Sequence, residues 1–375
     1  MIDDAWLALV DAAAQHTAPL SWLAALRAEG SAESLQANAP RALLAAGIPA
    51  EAAAPLTTPD KPKLARWRAW LAGEQRSLVT IGTPRYPKQL AEIPDAPLAL
   101  WVEGRDLEWL ASPQLAIVGS RSPTRSGRDT AEQFARYLSR CGLTITSGLA
   151  TGIDGASHRG ALAEVGGTIG VLGCGIDVVF PRAHAALTRE VATRGLLVSE
   201  YAPGVTPQKY YFPHRNRIIA GLTLGTLVVE ATRRSGSLIT AGLARDYGRE
   251  VFAVPGSIHN PLARGCHALI RQGAKLVEEA ADVLIELKPQ LEAAGVTVAP
   301  PPTSTAKGSE EAAFAGDASY HKLLAALEFS PVSIGELSTR VQLTTAELSS
   351  MLLVLELEGF VEALPGGRYL RLGKK

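Results

Sequence analysis

The run Leu115-Ala116-Ile117-Val118-Gly119-Ser120-Arg121 decides how this chain is read. Four apolar residues without polar alternation indicate a strand buried on both faces, and Gly-Ser-Arg ends it. Runs of the same kind recur at Leu143–Thr146, Thr168–Leu172, Leu196–Val198, Thr226–Val229 and Val251–Val254. Stretches of helical period lie between most of them, as at Asp129–Arg140, His184–Thr193 and Ser237–Tyr247. Alternation of this sort predicts a doubly wound α/β domain around a mostly parallel sheet, here over residues 78–287.

On either side the texture changes. Residues 1–77 are rich in Ala, Leu and Trp and broken by prolines, which predicts a small domain of short helices. One helix is expected over Ser21–Glu29 with Ser21 as its cap, another over Lys63–Leu71, with Gly30 and Gly47 at helix stops. Short helices with glycine turns also suit helix-hairpin-helix or SAM-like modules, but this segment is acidic. Residues 288–318 have the Pro, Ala, Gly, Ser and Thr composition of a linker. Beyond them, helices at His321–Glu328, Ser333–Thr339 and Thr345–Glu358 precede a hairpin of Phe360–Leu364 and Arg368–Leu372. Three helices and a hairpin give the winged-helix order, so 319–375 is read as a winged-helix domain.

The 375 residues carry 37 basic and 37 acidic side chains, and the zero net charge hides an asymmetry. Residues 1–114 hold 10 basic and 13 acidic groups, 115–280 hold 19 and 12, and 281–375 hold 8 and 12. The middle segment, at +7, is the candidate polyanion binder. A 47 % apolar content excludes a disordered chain. Three cysteines cannot build a disulfide framework. With no basic start to a signal peptide and no apolar run long enough to span a membrane, a cytoplasmic location is expected.

In an open parallel sheet, ligands bind beyond the carboxyl ends of the strands. Glycine and serine stand at nearly every such exit: Gly119-Ser120-Arg121, Ser147-Gly148, Gly173-Cys174-Gly175, Ala202-Pro203-Gly204, Ser235-Gly236-Ser237 and Gly256-Ser257. Glycine lets backbone approach a phosphate, and free amides and hydroxyls donate to it. A dinucleotide fingerprint is incomplete here, since Gly173-Cys174-Gly175 has no third glycine, and a P-loop Gly-Lys-Ser/Thr is absent. Instead Lys209, Arg215, Arg217, Arg233 and Arg234 interleave with Tyr210, Tyr211 and Phe212. Cations that track phosphates beside rings that stack on bases suit a single nucleic-acid strand.

These residues resemble the DprA/Smf DNA-processing family. The likeness is carried by Ile117-Val118-Gly119-Ser120-Arg121, by Ser147-Gly148-Leu149-Ala150-Thr151-Gly152-Ile153-Asp154 and by Phe212-Pro213-His214-Arg215-Asn216-Arg217. It continues through Val229-Glu230-Ala231, Ser235-Gly236-Ser237-Leu238 and Gly248-Arg249-Glu250-Val251. The resemblance implies an extended Rossmann-like core without cofactor. It further implies binding and protection of single-stranded DNA during natural transformation, help in loading RecA recombinase, and a homodimer made through the core. Carried over by motif, Gly119, Ser120, Arg121, Ser147, Gly148, Arg215, Asn216 and Arg217 would line the phosphate pocket. Lys209, Phe212, Ser235, Gly236 and Ser237 would also contact the nucleic acid.

Asp154 is expected to cap amides at a helix start. Glu230 ends a central strand and is expected either to pair with Arg217 or Arg233 or to act in catalysis. The catalytic alternative is a Rossmann-like nucleoside-monophosphate phosphoribohydrolase, whose signature Gly225-Thr226-Leu227-Val228-Val229-Glu230 echoes only in part. The seven histidines are dispersed and no metal-ligand spacing occurs. The would-be recognition helix Thr345–Glu358 carries Glu347, Glu356 and Glu358 and no Lys or Arg, which favours protein contact over duplex reading.

Overall fold

The computed structural model describes residues 3–15, 19–295, 318–327 and 331–372. Two compact units are present, residues 1–299 and 300–375. Most of the expected linker, residues 296–317, and Glu328 at the end of the helix expected over His321–Glu328 lie outside the described residues.

The first unit begins with helices α1 (Asp4–Gln15), α2 (Pro19–Glu29), α3 (Ala32–Ala37), α4 (Ala39–Ala45), α5 (Ala54–Thr57) and α6 (Lys61–Leu71). Helix α2 starts two residues before Ser21, so Ser21 lies inside the helix and is not its cap; proline is well suited to a first turn. Helix α6 is capped by Asp60, whose carboxylate accepts from Lys63 N at 3.0 Å. Gly30 and Gly47 do follow helix ends, both at positive φ.

Strands β1 (Arg76–Thr80) and β2 (Ala99–Gly104) flank the short helix α7 (Lys88–Ala91). Then come β3 (Gln114–Gly119), α8 (Arg125–Arg140), β4 (Thr144–Ser147), α9 (Ile153–Ala161), β5 (Thr168–Val171), α10 (Ala185–Arg194) and β6 (Leu196–Ser199). The unit closes with α11 (Tyr211–Leu222), β7 (Gly225–Val229), α12 (Ser237–Asp246), β8 (Glu250–Ala253), α13 (Arg264–Arg271), β9 (Lys275–Leu276) and α14 (Ala280–Ala293). Helix α14 runs through Pro289 and past residue 287, held by buried Leu284, Leu287 and Leu291. The α/β body therefore extends into the stretch read as linker.

The nine strands lie in the order β1-β2-β6-β5-β4-β3-β7-β8-β9. Strands β1 and β2 are antiparallel additions to β6, and the others run parallel. Side chains of β3 show why its pattern does not alternate. Leu115 and Ile117 pack with Phe134, Leu138 and Leu287 on one face. Ala116 and Val118 pack with Ile218, Ile219 and Leu269 on the other. The amino-terminal helices cover the β1–β2–β6 region, where Trp67 and Trp70 meet Trp101 edge to face at 5.4 and 5.7 Å. Strand order reverses between β3 and β7, which puts the switch point of the sheet there.

The second unit holds α15 (Ala318–Leu327), β10 (Val332–Ser333), α16 (Ile334–Val341), α17 (Thr345–Leu357), β11 (Val361–Leu364) and β12 (Arg368–Arg371). Capping boxes start α16 at Ser333–Glu336 and α17 at Thr344–Glu347. The hairpin turns at Gly366 and Gly367, both at positive φ. Its core joins Leu323, Leu337, Leu348, Leu352, Leu355 and Phe360, and the winged-helix order is as expected.

Candidate nucleic-acid interface

The switch point is closed by the chain itself. Gly119 lies so near β7 that a Cβ there would sit 2.0 Å from the Val229 carbonyl oxygen. Ser120 N donates to the Glu230 carbonyl oxygen at 2.7 Å. The Glu230 carboxylate then accepts from Thr124 N at 2.8 Å and Thr124 Oγ1 at 2.7 Å. Thr124 is the N-cap of α8, its Oγ1 accepting from Gly127 N. Neither expected partner of Glu230 is used: Arg217 pairs elsewhere, and Arg233 points into solvent. The crevice where a Rossmann fold would seat a nucleotide is thus bridged by a glutamate with both oxygens engaged.

The next turn, after β4, is saturated from within. Ser147 Oγ donates to the Ile117 carbonyl oxygen at 2.7 Å and is fully buried. Gly148 N and Ala150 N donate to Asp154 Oδ2 at 3.1 and 3.4 Å. Leu149, at φ +54°, donates its N–H to His158 Nε2 at 3.3 Å, and its carbonyl meets His184 Nδ1 at 3.0 Å. His158 Nδ1 lies 2.7 Å from Thr168 Oγ1, whose own proton goes to the Ile145 carbonyl oxygen. The ring is therefore neutral with its proton on Nδ1. Burial drives its pKa down to about 3. Burial also raises the Asp154 carboxyl, against the pull of Arg215, the two amides and Arg121. Amides at this exit are not the bare floor that the glycine and serine residues suggested. The buried Gly148 and Leu149 amides and the half-buried Ala150 amide donate instead to Asp154 and His158.

The motif Phe212-Pro213-His214-Arg215-Asn216-Arg217 lies on the first turns of α11, where alternate residues diverge by about 200°. Arg215 is buried, and its Nη1 donates to the carbonyl oxygens of Gly148, at 2.8 Å, and of Val171. Desolvation lowers its pKa, with Asp154 opposing the loss of charge. Asn216 Oδ1 accepts from Arg215 Nε at 3.3 Å. Arg217 points away, into Glu200 at 2.5 Å and Asp95 at 3.2 Å. Burial works against its charge, but the two carboxylates prevail and raise its pKa. Arg121, by contrast, is exposed on the β3 exit, and Gly152 packs on that same turn. With φ +85° and its Cβ position 2.2 Å from Ser120 O, Gly152 admits no side chain.

Lys209 is exposed, and the rings around it form two groups. Phe212 stacks at 5.1 Å on Phe180, which is 41 % exposed. Tyr211 lies 4.1 Å from Tyr201 and 4.5 Å from Tyr210, and Tyr210 is 64 % exposed. On the other side of the switch point, Ser235 Oγ and Ser237 Oγ share a 2.7 Å hydrogen bond at the start of α12, beside Gly236. The structure thus joins Gly119, Ser120, Arg121, Ser147, Gly148 and Arg215 at adjacent exits and diverts Arg217 into an acidic pocket. Phe180, His158 and Thr124 were missed as members of this edge. Nothing local in the sequence marks their partners, which lie 9 and 10 residues away for His158, 32 for Phe180 and 106 for Thr124.

The profile of the DNA recombination-mediator protein A family matches residues 77–288, and that of the DprA winged helix domain matches residues 300–367. The chain belongs to the DprA/Smf family. Protein Smf of Escherichia coli (strain K12) is 43 % identical over 306 residues, 81 % of this chain and 79 % of that protein. DNA processing protein DprA of Streptococcus pneumoniae is 49 % identical over 203 residues, 54 % of this chain and 71 % of that one. The solved S. pneumoniae DprA structure superposes with a TM-score of 0.67 at 37 % identity, covering 76 % of this chain and 99 % of that chain. Helicobacter pylori DprA, described for a single-stranded DNA binding mode, gives a TM-score of 0.51 at 29 % identity over 57 % of this chain and 97 % of its own. Membership makes this chain a DNA-processing protein and argues against an enzyme of nucleotide turnover. Among the described residues, no helix is long and apolar enough to cross a membrane.

Proposed function

We propose that the α/β unit holds single-stranded DNA along the carboxyl edge of its sheet, without sequence preference and without cofactor. One observation carries this reading: Arg121 and Lys209, exposed and without an ion pair among the described residues, stand on the edge that also presents the Phe180–Phe212 pair and Tyr210. Cations and open rings together suit an unpaired strand, because a duplex hides its base faces. The single-stranded DNA binding described for the H. pylori relative supports the same reading. In this role Ser147, Gly148 and Arg215 shape the turn beneath the strand, while Arg121, Lys209 and Phe212 meet it. Ser120, Asn216, Arg217, Ser235, Gly236 and Ser237 support the adjoining turns.

From the family resemblance follow protection of incoming DNA during natural transformation and handover to RecA recombinase. A homodimer through the α/β unit and a cytoplasmic location follow in the same way. Competition between single-stranded and duplex DNA at two salt concentrations tests the central claim. The single strand should win at both, with affinity falling as salt rises; equal competition by duplex would refute it.

A further inference from the structure

Across the stapled switch point, the two halves of the sheet's carboxyl edge differ in how their charge is compensated. On the β4–β6 side, the deep cations are engaged: Arg217 by Glu200 and Asp95, Arg215 by two carbonyl oxygens. On the β7–β8 side, residues 231–237 and 255–271 contain no Asp or Glu. Arg233, Arg234 and Arg264 are exposed there. None of the three has an ion pair or side-chain hydrogen bond among the described residues. The two turns that carry them are tied together, since Ala231 N donates to Leu262 O at 2.6 Å and Gly265 N donates to Ala231 O at 2.7 Å.

The same ridge continues to Arg121. Ser120 N is bonded to Glu230 O, and Glu230 is followed by Ala231, which receives Gly265. Arg121, Arg233, Arg234 and Arg264 are therefore each within three residues of one hydrogen-bonded ridge. Glu230 is the acidic residue on that ridge, and its charge is held by Thr124. Clustered guanidinium groups without counter-charge repel one another, and a chain of phosphates removes that repulsion by displacing mobile anions.

We propose that bound single-stranded DNA does not end at Arg121 but crosses the Glu230 bridge, and that Arg233, Arg234 and Arg264 hold its phosphates on the β7 and β8 exits. This rests on the reading of the sheet edge as a single-strand site and sets how long a strand one chain occupies.

The test uses the full chain with oligo-dT of about 6 and about 16 nucleotides, lengths that bracket common single-strand footprints. The triple variant Arg233→Ala, Arg234→Ala, Arg264→Ala should keep short-strand affinity within about 2-fold. It should lose most of the gain that the longer strand brings. The log–log salt slope for the long strand should fall by about 2, at about 0.7 per released phosphate. Unchanged long-strand affinity and slope overturn the proposal, as does an equal loss for both lengths. So does stronger competition by inorganic phosphate than by chloride at equal ionic strength, which marks a discrete phosphate site. If Arg121→Ala abolishes binding while the triple variant behaves like the parent, the extension alone fails. If the parent binds neither oligonucleotide, the underlying reading fails with it.

Discussion

Glu230, at the end of β7, grips Thr124, at the head of α8, through both carboxylate oxygens, accepting from the backbone N at 2.8 Å and from Oγ1 at 2.7 Å. This pair joins the two strands at which the sheet reverses its order. It occupies the position at which a related fold would place a catalytic or ribose-binding carboxylate. Glu230 also sits at φ +53°, a conformation that ordinary residues adopt only when the surroundings impose it.

Replacing Glu230 with Ala is therefore expected to cost stability, by about 1–3 kcal/mol for the two orphaned donors. Denaturant midpoints will read this. Incubation with nucleoside monophosphates should release no ribose 5-phosphate from either parent or variant. Release by the parent that the variant lacks would revive the hydrolase reading.

Arg121 and Arg215 should behave differently when truncated. Arg121→Ala is expected to leave folding intact, weaken single-strand binding and reduce the salt slope by about 0.7. Arg215→Ala removes a buried donor from two carbonyls and should lower stability by about 1–3 kcal/mol as well as binding. Thermal melting run beside the titrations separates the two, and equal melting temperatures would contradict the structural role of Arg215.

Acid should weaken the fold through His158. Its pKa is held near 3 in the folded chain, against about 6.5 when unfolded. The unfolded chain therefore binds the extra proton between those values, and stability falls as pH drops through that window. The slope is at most about 1.4 kcal/mol per pH unit. Asp154, whose carboxyl is raised by burial, acts in the opposite sense, above the ordinary carboxylate range. His158→Gln should flatten the loss of stability between pH 6.5 and 4, with the parent's slope in the variant counting against this assignment.

Aromatic truncation should leave a different signature from loss of a cation. Phe212→Ala is expected to weaken single-strand binding by about 1–3 kcal/mol while leaving the salt slope unchanged, because a stacked ring neutralises no phosphate. A change in slope comparable to that of Arg121→Ala would show that the ring instead positions a cation.

Deleting residues 319–375 should leave single-strand affinity within a few-fold. Helix α17 and its C-cap residue carry Glu347, Glu356 and Glu358 and no cation. A near-total loss in a titration of the shortened chain would assign the main DNA contact to the winged helix.

Six parallel strands, β3 to β8, were legible because most of their residues are buried on two faces, which leaves short runs of apolar residues interrupted only by small Thr, Ser and Gly or by Gln114 and Glu250 at the starts of β3 and β8. Strands β1 and β2 were not recognised. They join the sheet antiparallel at its edge; β1 starts half-buried and shows no such run, whereas β2 carries the buried apolar run Ala99-Leu100-Trp101-Val102 and was missed all the same. Within the site, Gly119 was read as a glycine that lets backbone approach a phosphate, whereas its tightest approach is to the Val229 carbonyl, and that of Gly152 is to the Ser120 carbonyl. Which arginine would be free was not readable. Arg215 and Arg217 are two residues apart, yet one faces carbonyls and the other carboxylates, because a helix turns their side chains in nearly opposite directions.

Residue types and their order alone established a doubly wound sheet, a rim of glycine, serine and arginine at its strand ends, and a winged helix to follow. Those features depend on local periodicity and on what each side chain can do by itself. Folding decided which of those groups remain available. The tertiary structure turned the Gly148 and Ala150 amides onto Asp154, the buried Arg217 onto Glu200 and Asp95, and Glu230 onto Thr124, because a polar group drawn out of water is costly without a partner. On the carboxyl edge of the sheet, Arg121, Lys209, Arg233, Arg234 and Arg264 stay in solvent, and among the described residues none of them has an ion pair.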